Sequence, residues 1–221
     1  MKKYIKVLVF VSLFINVFSC KKAINEGLKF EDYDSTIFKA EKQLLSNEYD
    51  SASTYFNNAY SIRKNMLAFD MNNALNLAIK VKGWNQALVW SERLVKKGVE
   101  LSYFEKKIFK SFHETKEWKQ FVENYDKHTK YFKEHLDNEM IDSLEILLDI
   151  DQQAYCLLPS KKIDLSNVFD KTVFLDSLLF RLIKNKGFPN EDKIGALIYN
   201  DSLISPMIKF HALYRHSYQA N

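Results

Sequence analysis

Apolar residues recur at spacings of three and four along most of the chain, the period of helices that bury one face. The pattern predicts a helix over 36–46 carrying Ile37, Ala40, Leu44 and Leu45, and a second over 51–62 carrying Ala52, Tyr55, Phe56 and Ala59. A further pair is expected over 67–81 and 85–97. Its inner stripes are Leu67, Met71, Ala74, Leu75, Ala78 and Ile79, then Ala87, Leu88, Ser91, Leu94 and Val95. A third pair is expected over 102–113 and 116–132, with Leu101, Phe104, Ile108 and Phe112 facing Trp118, Phe121, Val122 and Tyr125. Ser102 and Glu105 have the spacing of a capping box, and Gly98 after Lys96 and Lys97 reads as a helix stop.

A charge-rich stretch, 126–139, separates this region from the rest. Beyond it the period predicts a helix over 139–157 with Met140, Ile141, Leu144, Leu147 and Leu148 in phase, ended by Pro159. A polar loop is expected over 159–171. A helix over 172–186 then turns Phe174, Leu175, Leu178, Leu179, Leu182 and Ile183 inward. Gly187 suits a left-handed C-cap, and Phe188-Pro189 forbids continuation. Asn190 is expected to cap a short helix holding Ile194, Leu197 and Ile198, and Ser205-Pro206 to open a last one holding Met207, Ile208, His211 and Leu213. With only 5 Gly and 3 Pro in 221 residues, a many-turned β fold is disfavoured and an all-α fold is expected.

Three short strings repeat: Glu48-Tyr49-Asp50-Ser51-Ala52, Gly83-Trp84-Asn85-Gln86-Ala87 and Glu117-Trp118-Lys119-Gln120-Phe121. Tyr49, Trp84 and Trp118 lie 35 and then 34 positions apart. On these residues the stretch 36–133 resembles tetratricopeptide repeats. Ala52, Phe56 and Ala59 stand where that family places small, aromatic and small side chains. Ala87 follows the pattern, and Phe121 replaces its usual small residue. The resemblance implies a short solenoid of helical hairpins, with Tyr49, Trp84 and Trp118 at the corners and a concave surface for an extended peptide or a helix. A helical C-terminal domain is expected over 137–221.

The first residues carry an address. Lys2, Lys3 and Lys6 precede an apolar run, Val7 to Phe18, that is short for a bilayer span and has the length of a signal-peptide core. Val17-Phe18-Ser19-Cys20 resembles a bacterial lipobox. That resemblance implies cleavage after residue 19, a lipid on Cys20, a polar tether over 20–35 and an envelope location. Residue 21 is Lys, not the Asp that would resemble an inner-membrane retention signal, and the resemblance therefore favours the outer membrane. An uncleaved membrane anchor is the alternative. Removing the three leading lysines takes the formal charge from +4 to about +1, so no nucleic-acid footprint is expected. Cys156, in an apolar string, reads as an inert buried thiol.

The chemistry-bearing residues are few. Asp151-Gln152, Gly187-Phe188-Pro189, Ile194-Gly195 and a late His together resemble an uncharacterised bacterial domain to which no activity is assigned. Asp151 and His211 are the candidates for acid–base work, should the fold bring them together. His128 and His135, seven apart, read as a solvated helix face rather than a metal site. P-loop, GxSxG, HExxH and CxxC motifs do not occur, and neither a cofactor nor a metal is expected. Three functions compete: a lipid-anchored interaction module with a protein or peptide partner, an enzyme using Asp151 and His211, and a glycan-binding lipoprotein of an outer-membrane uptake system.

Overall fold

The computed structural model describes residues 31–157 and 165–220, with backbone only for 154–157, 165–169 and 216–220. The signal segment, Cys20, most of the tether, Pro159 and the Cys156 side chain lie outside what is described. The described chain is all-α, built of helical hairpins, with one small two-stranded ribbon. No described helix is long and apolar enough to cross a membrane. Two compact units divide between Met66 and Leu67.

The first unit holds α1, helical over 31–45, and α2 (Tyr49–Ile62). Tyr33, Ile37 and Ala40 of α1 are buried, as are Ala52, Phe56 and Ala59 of α2. Between the helices Asn47 takes a left-handed conformation, φ +61°, which a short amide side chain tolerates. Its Oδ1 accepts the Tyr49 hydroxyl at 2.5 Å. The expected inward Leu45 is 85% exposed, because α1 ends there and the turn carries it out of phase.

The second unit opens with α3 (Ala68–Lys80) and α4 (Trp84–Val95), packed on each other. The predicted stripes are buried from Met71 to Ile79 and from Ala87 to Val95. Lys82, at φ +57°, turns the chain between them. On its other side α4 packs along α7 (Lys116–His135). Thr115 caps α7: its Oγ1 accepts the Trp118 amide at 3.1 Å.

The expected helix over 102–113 is broken. It forms α5 (Leu101–Phe104), a 3₁₀ turn (Lys107–Phe109) and α6 (Lys110–His113). Lys106, at ψ 150°, interrupts it. The interruption shifts the phase, so Phe109 is buried while Ile108 is 60% exposed. The capping box does not form; α5 starts at Leu101, after Glu100, with no side-chain cap. The His113 ring instead meets the Phe104 carbonyl at 2.7 Å, satisfying an acceptor at the end of α5.

The C-terminal part packs α8 (Asn138–Leu157) against α9 (Leu165–Lys186) and α11 (His211–Ala220). Met140, Leu144, Leu147, Leu175, Leu179, Phe210 and Leu213 form its core. At ~1.5–3 kcal/mol for each fully buried side chain of this kind, that contact holds the three helices together. The polar loop expected up to 171 is helical from Leu165, and Phe174, expected inside, is 60% exposed. Gly187 (φ +74°) ends α9 as expected.

The short helix after Asn190 is only α10 (Glu191–Ile194). Leu197 and Ile198, expected on it, belong to a ribbon: β1 (Leu197–Tyr199) pairs antiparallel with β2 (Ser202–Ile204), Leu197 opposite Ile204. Gly195 at φ +79° stops the helix. Asn200 and Asp201, both at positive φ, make the two-residue turn whose twist suits a hairpin. A 3₁₀ turn (Pro206–Ile208), capped by Ser205, leads into α11. Within this unit the expected boundary near 133–137 is crossed by a bond from the Ala68 amide to the Glu191 carboxylate at 2.7 Å.

Candidate functional site

The corner residues Trp84 and Trp118 meet through one ring. Phe112 of α6 stacks on Trp84 at 6.2 Å and presents an edge to Trp118 at 5.6 Å. His113 lies 4.3 Å from Trp118, and Phe121 5.4 Å. The start of α4 and the start of α7 are thereby tied to α6 by an aromatic chain, with Ala87 buried on α4 where a larger side chain would not fit.

At the opposite end of the α3/α4 hairpin lies a clasp of polar groups. The start of α3 has no side-chain cap of its own, since Leu67 precedes it. The Glu191 carboxylate, 123 positions away, accepts the Ala68 amide at 2.7 Å. Lys97, just past α4, has its ammonium 3.8 Å from Glu191 and bonded to Asp192. The Lys97 carbonyl accepts the Ala196 amide at 2.7 Å. Residues 191–196 thus satisfy one orphan donor and one acceptor at the two free ends of the hairpin. Burial pushes the Glu191 carboxyl above its ordinary range; Lys97 and the Ala68 amide oppose this, and Asp192 and Asp70 add to it. Two glycines close the packing. A Cβ on Gly98 would sit 2.5 Å from the Phe132 ring, and one on Gly195 would sit 3.2 Å from it.

From this clasp the ribbon runs onto α3, against which β2 packs. Its tip reaches α5. Lys106 pairs with the Asp201 carboxylate at 3.2 Å and donates to the Asp201 carbonyl at 2.8 Å. The same ammonium lies 3.9 Å above the Tyr103 ring, and the Tyr103 hydroxyl donates to Asn72 of α3 at 2.9 Å. Burial, then the Asp201 charge, raises the Tyr103 phenol above its ordinary value. One turn along α3 from Asn72, the Asn76 amide oxygen is shielded from solvent and meets no donor among the described residues.

A concavity of about 350 Å³ lies between α8 and α9, lined by Leu147, Leu178 and Leu182 and by Ser143, Arg181 and Asn185. Lys186 closes one end, bonded to Asp137 at 3.0 Å and to Glu139 at 2.8 Å. Asp137 also caps α8 through the Met140 amide. Burial acts to raise the Asp137 carboxyl. The Lys186 bond, the Met140 amide and the charges of Lys186 and Lys193 outweigh it and hold the carboxyl below the usual range.

The sequence candidates fall as follows. Asp151 is buried on α8, and Gln152 donates to its carboxylate at 2.8 Å. His211 is exposed at the start of α11. His128 is not on a solvated face: it is buried on α7, its Nε2 3.2 Å from the Glu92 carboxylate of α4. His135 is exposed and stacks on Tyr131. Among the described residues no cluster of three His, Cys, Asp or Glu could hold a metal ion. Sequence reasoning missed Lys97, Lys106, Glu191 and Asp201; the capless start of α3 is a local signal for Glu191, and the Asn200-Asp201 turn for Asp201. Comparison with family models, with curated proteins and with solved structures gives no match.

Proposed function

We propose that the protein is a lipid-anchored interaction module of the bacterial cell envelope, binding an extended segment of a protein partner on the face formed by α3 and α5. The observation that carries this is the seat of the ribbon: an extended strand already lies on α3, its tip held by Lys106 beside Tyr103 and Asn72. A face that holds one strand through a cation, an aromatic ring and an asparagine has the donors and acceptors to hold another. The unpaired Asn76 oxygen supports the same reading, since a buried acceptor left without a donor costs about 1–3 kcal/mol and an incoming N–H removes that cost.

The anchor rests on the pattern of residues 1–20. Acyl chains on Cys20 would hold the protein at the membrane at ~0.8 kcal/mol per buried CH₂. Metabolic labelling with palmitate is expected to mark the protein and to fail with Cys20→Ala. A photo-reactive phenylalanine analogue at Phe69, half-exposed one turn before Asn72 and Asn73, tests the binding face in intact envelopes. A discrete adduct with another protein is expected. Crosslinks confined to this chain would refute the partner.

A further inference from the structure

The described walls of the concavity between α8 and α9 come from those two helices. Ser143 and Leu147 on α8, and Leu178, Leu182 and Asn185 on α9, follow spacings of three and four, so each set lines one helix face. α11 packs on the same pair of helices through Phe210 and Leu213, which join Met140, Leu144, Leu175 and Leu179 in the core. The seam beside that core stays open, and its surface is aliphatic. Leu147 is buried, Leu178 and Leu182 are half-buried, and Ile146 is 59% exposed. No aromatic ring is among the described lining residues, so the flat platform on which a base stacks is missing. At about 350 Å³ the space falls at the small end of ligand pockets, which run to about 300–1,000 Å³ and occur between packed helices.

The charges on this lining do not balance. Glu139 and Lys186 answer each other at 2.8 Å, and Lys186 also holds Asp137. That leaves Arg181, which is exposed and has no ion pair, hydrogen bond or ring contact among the described residues. A guanidinium is a rigid fork of donors that matches a carboxylate with two parallel bonds. Asn185, one turn further along α9, adds an amide, and Ser143 of α8 adds a hydroxyl. An aliphatic surface beside one uncommitted guanidinium complements an aliphatic chain that ends in a negative charge. Independently of the binding face on α3 and α5, we infer that this concavity binds a medium-chain aliphatic carboxylate, its chain against Ile146, Leu147, Leu178 and Leu182 and its carboxylate on Arg181.

The test titrates the full chain with octanoate and, separately, with 1-octanol, which has the same chain length and no charge, and follows backbone amides by NMR. Octanoate is expected to shift the amides around Ser143, Ile146, Arg181 and Asn185 to saturation. It is expected to bind about tenfold more tightly than the alcohol, the margin of hydrogen bonds to a charged group. Arg181→Gln, at an exposed position, is expected to bring octanoate down to the level of the alcohol with the melting temperature unchanged. Arg181→Lys keeps the charge without the fork and is expected to fall between. Ile146→Ser, also at an exposed position, is expected to weaken both ligands alike. Three results would each overturn the inference: no saturable shift at these amides, equal affinity of the wild type for octanoate and 1-octanol, or an undiminished preference for octanoate in Arg181→Gln.

Discussion

Glu191 caps the helix that begins at Ala68, across 123 positions of sequence. Helix starts leave amides unsatisfied, and a capping acceptor with negative charge answers both the missing bond and the helix dipole. Leu67 can do neither. Removing Glu191 therefore uncaps α3 and takes one of the two carboxylates from buried Lys97. Glu191→Ala is expected to cost about 3 kcal/mol, since breaking a buried pair costs ~3–5 and Asp192 still serves Lys97. Asp192→Ala, at a half-exposed carboxylate, is expected to cost about 1 kcal/mol. Urea unfolding of both variants measures the difference, and equal losses would contradict the cap.

The same carboxylate sets a pH dependence. Glu191 binds its proton more tightly folded than unfolded, because burial raises it above the ordinary 4.5. The proton-linked part of its contribution to stability is therefore fully present below that value and lost as pH rises through the folded one. Glu191→Gln keeps an acceptor for Ala68 but does not titrate. As pH rises above 4.5 the wild type is expected to lose stability relative to Glu191→Gln. Asp137, shifted the other way, contributes above its ordinary 3.8 and loses that contribution as pH falls, so the two effects occupy separate windows. Parallel stability curves above pH 4.5 would count against a raised Glu191.

Gly98 is constrained twice, by φ +88° and by the Phe132 ring. Gly98→Ala is expected to cost about 2–3 kcal/mol: ~1–2 for the left-handed backbone and the rest for overpacking. In a Phe132→Leu background only the backbone part should remain. A double-mutant cycle by chemical denaturation measures the coupling, and strict additivity would place the ring elsewhere.

Phe112 touches both tryptophan corners, so its truncation should loosen α4, α6 and α7 together. Phe112→Ala is expected to cost about 3–5 kcal/mol, the range for a buried aromatic. Tryptophan fluorescence should shift to the red before global unfolding. A loss below about 1 kcal/mol would mean that the corners are held by something other than this ring.

Much of the helical framework was legible because long amphipathic stretches declare themselves locally. The stripes of α3, α4 and α8, the glycine stops at Gly98 and Gly187 and the Asn190 cap follow from neighbours within a turn or two. The broken helix at Lys106 was not legible, because Tyr103, Phe104, Phe109 and Phe112 supply apolar residues to more than one phase. The ribbon reads as helix although Asn200-Asp201, between Leu197-Ile198-Tyr199 and Leu203-Ile204, is a turn signal; the preceding helical period outweighs it. Pairings such as Lys97 with Glu191, Lys106 with Asp201 and His128 with Glu92 depend on tertiary approach, and no local spacing encodes them. For Asp151 and His211 the sequence named residue types without a geometry; one lies buried on α8 and the other exposed on α11.

Residue-resolved amide hydrogen exchange tests most directly whether residues 191–196 clasp the free ends of the α3/α4 hairpin. The Ala68 and Ala196 amides, bonded to Glu191 and to the Lys97 carbonyl, are expected to exchange with the slow core of α3 and α4. Fast exchange at Ala68 and Ala196 would contradict the clasp.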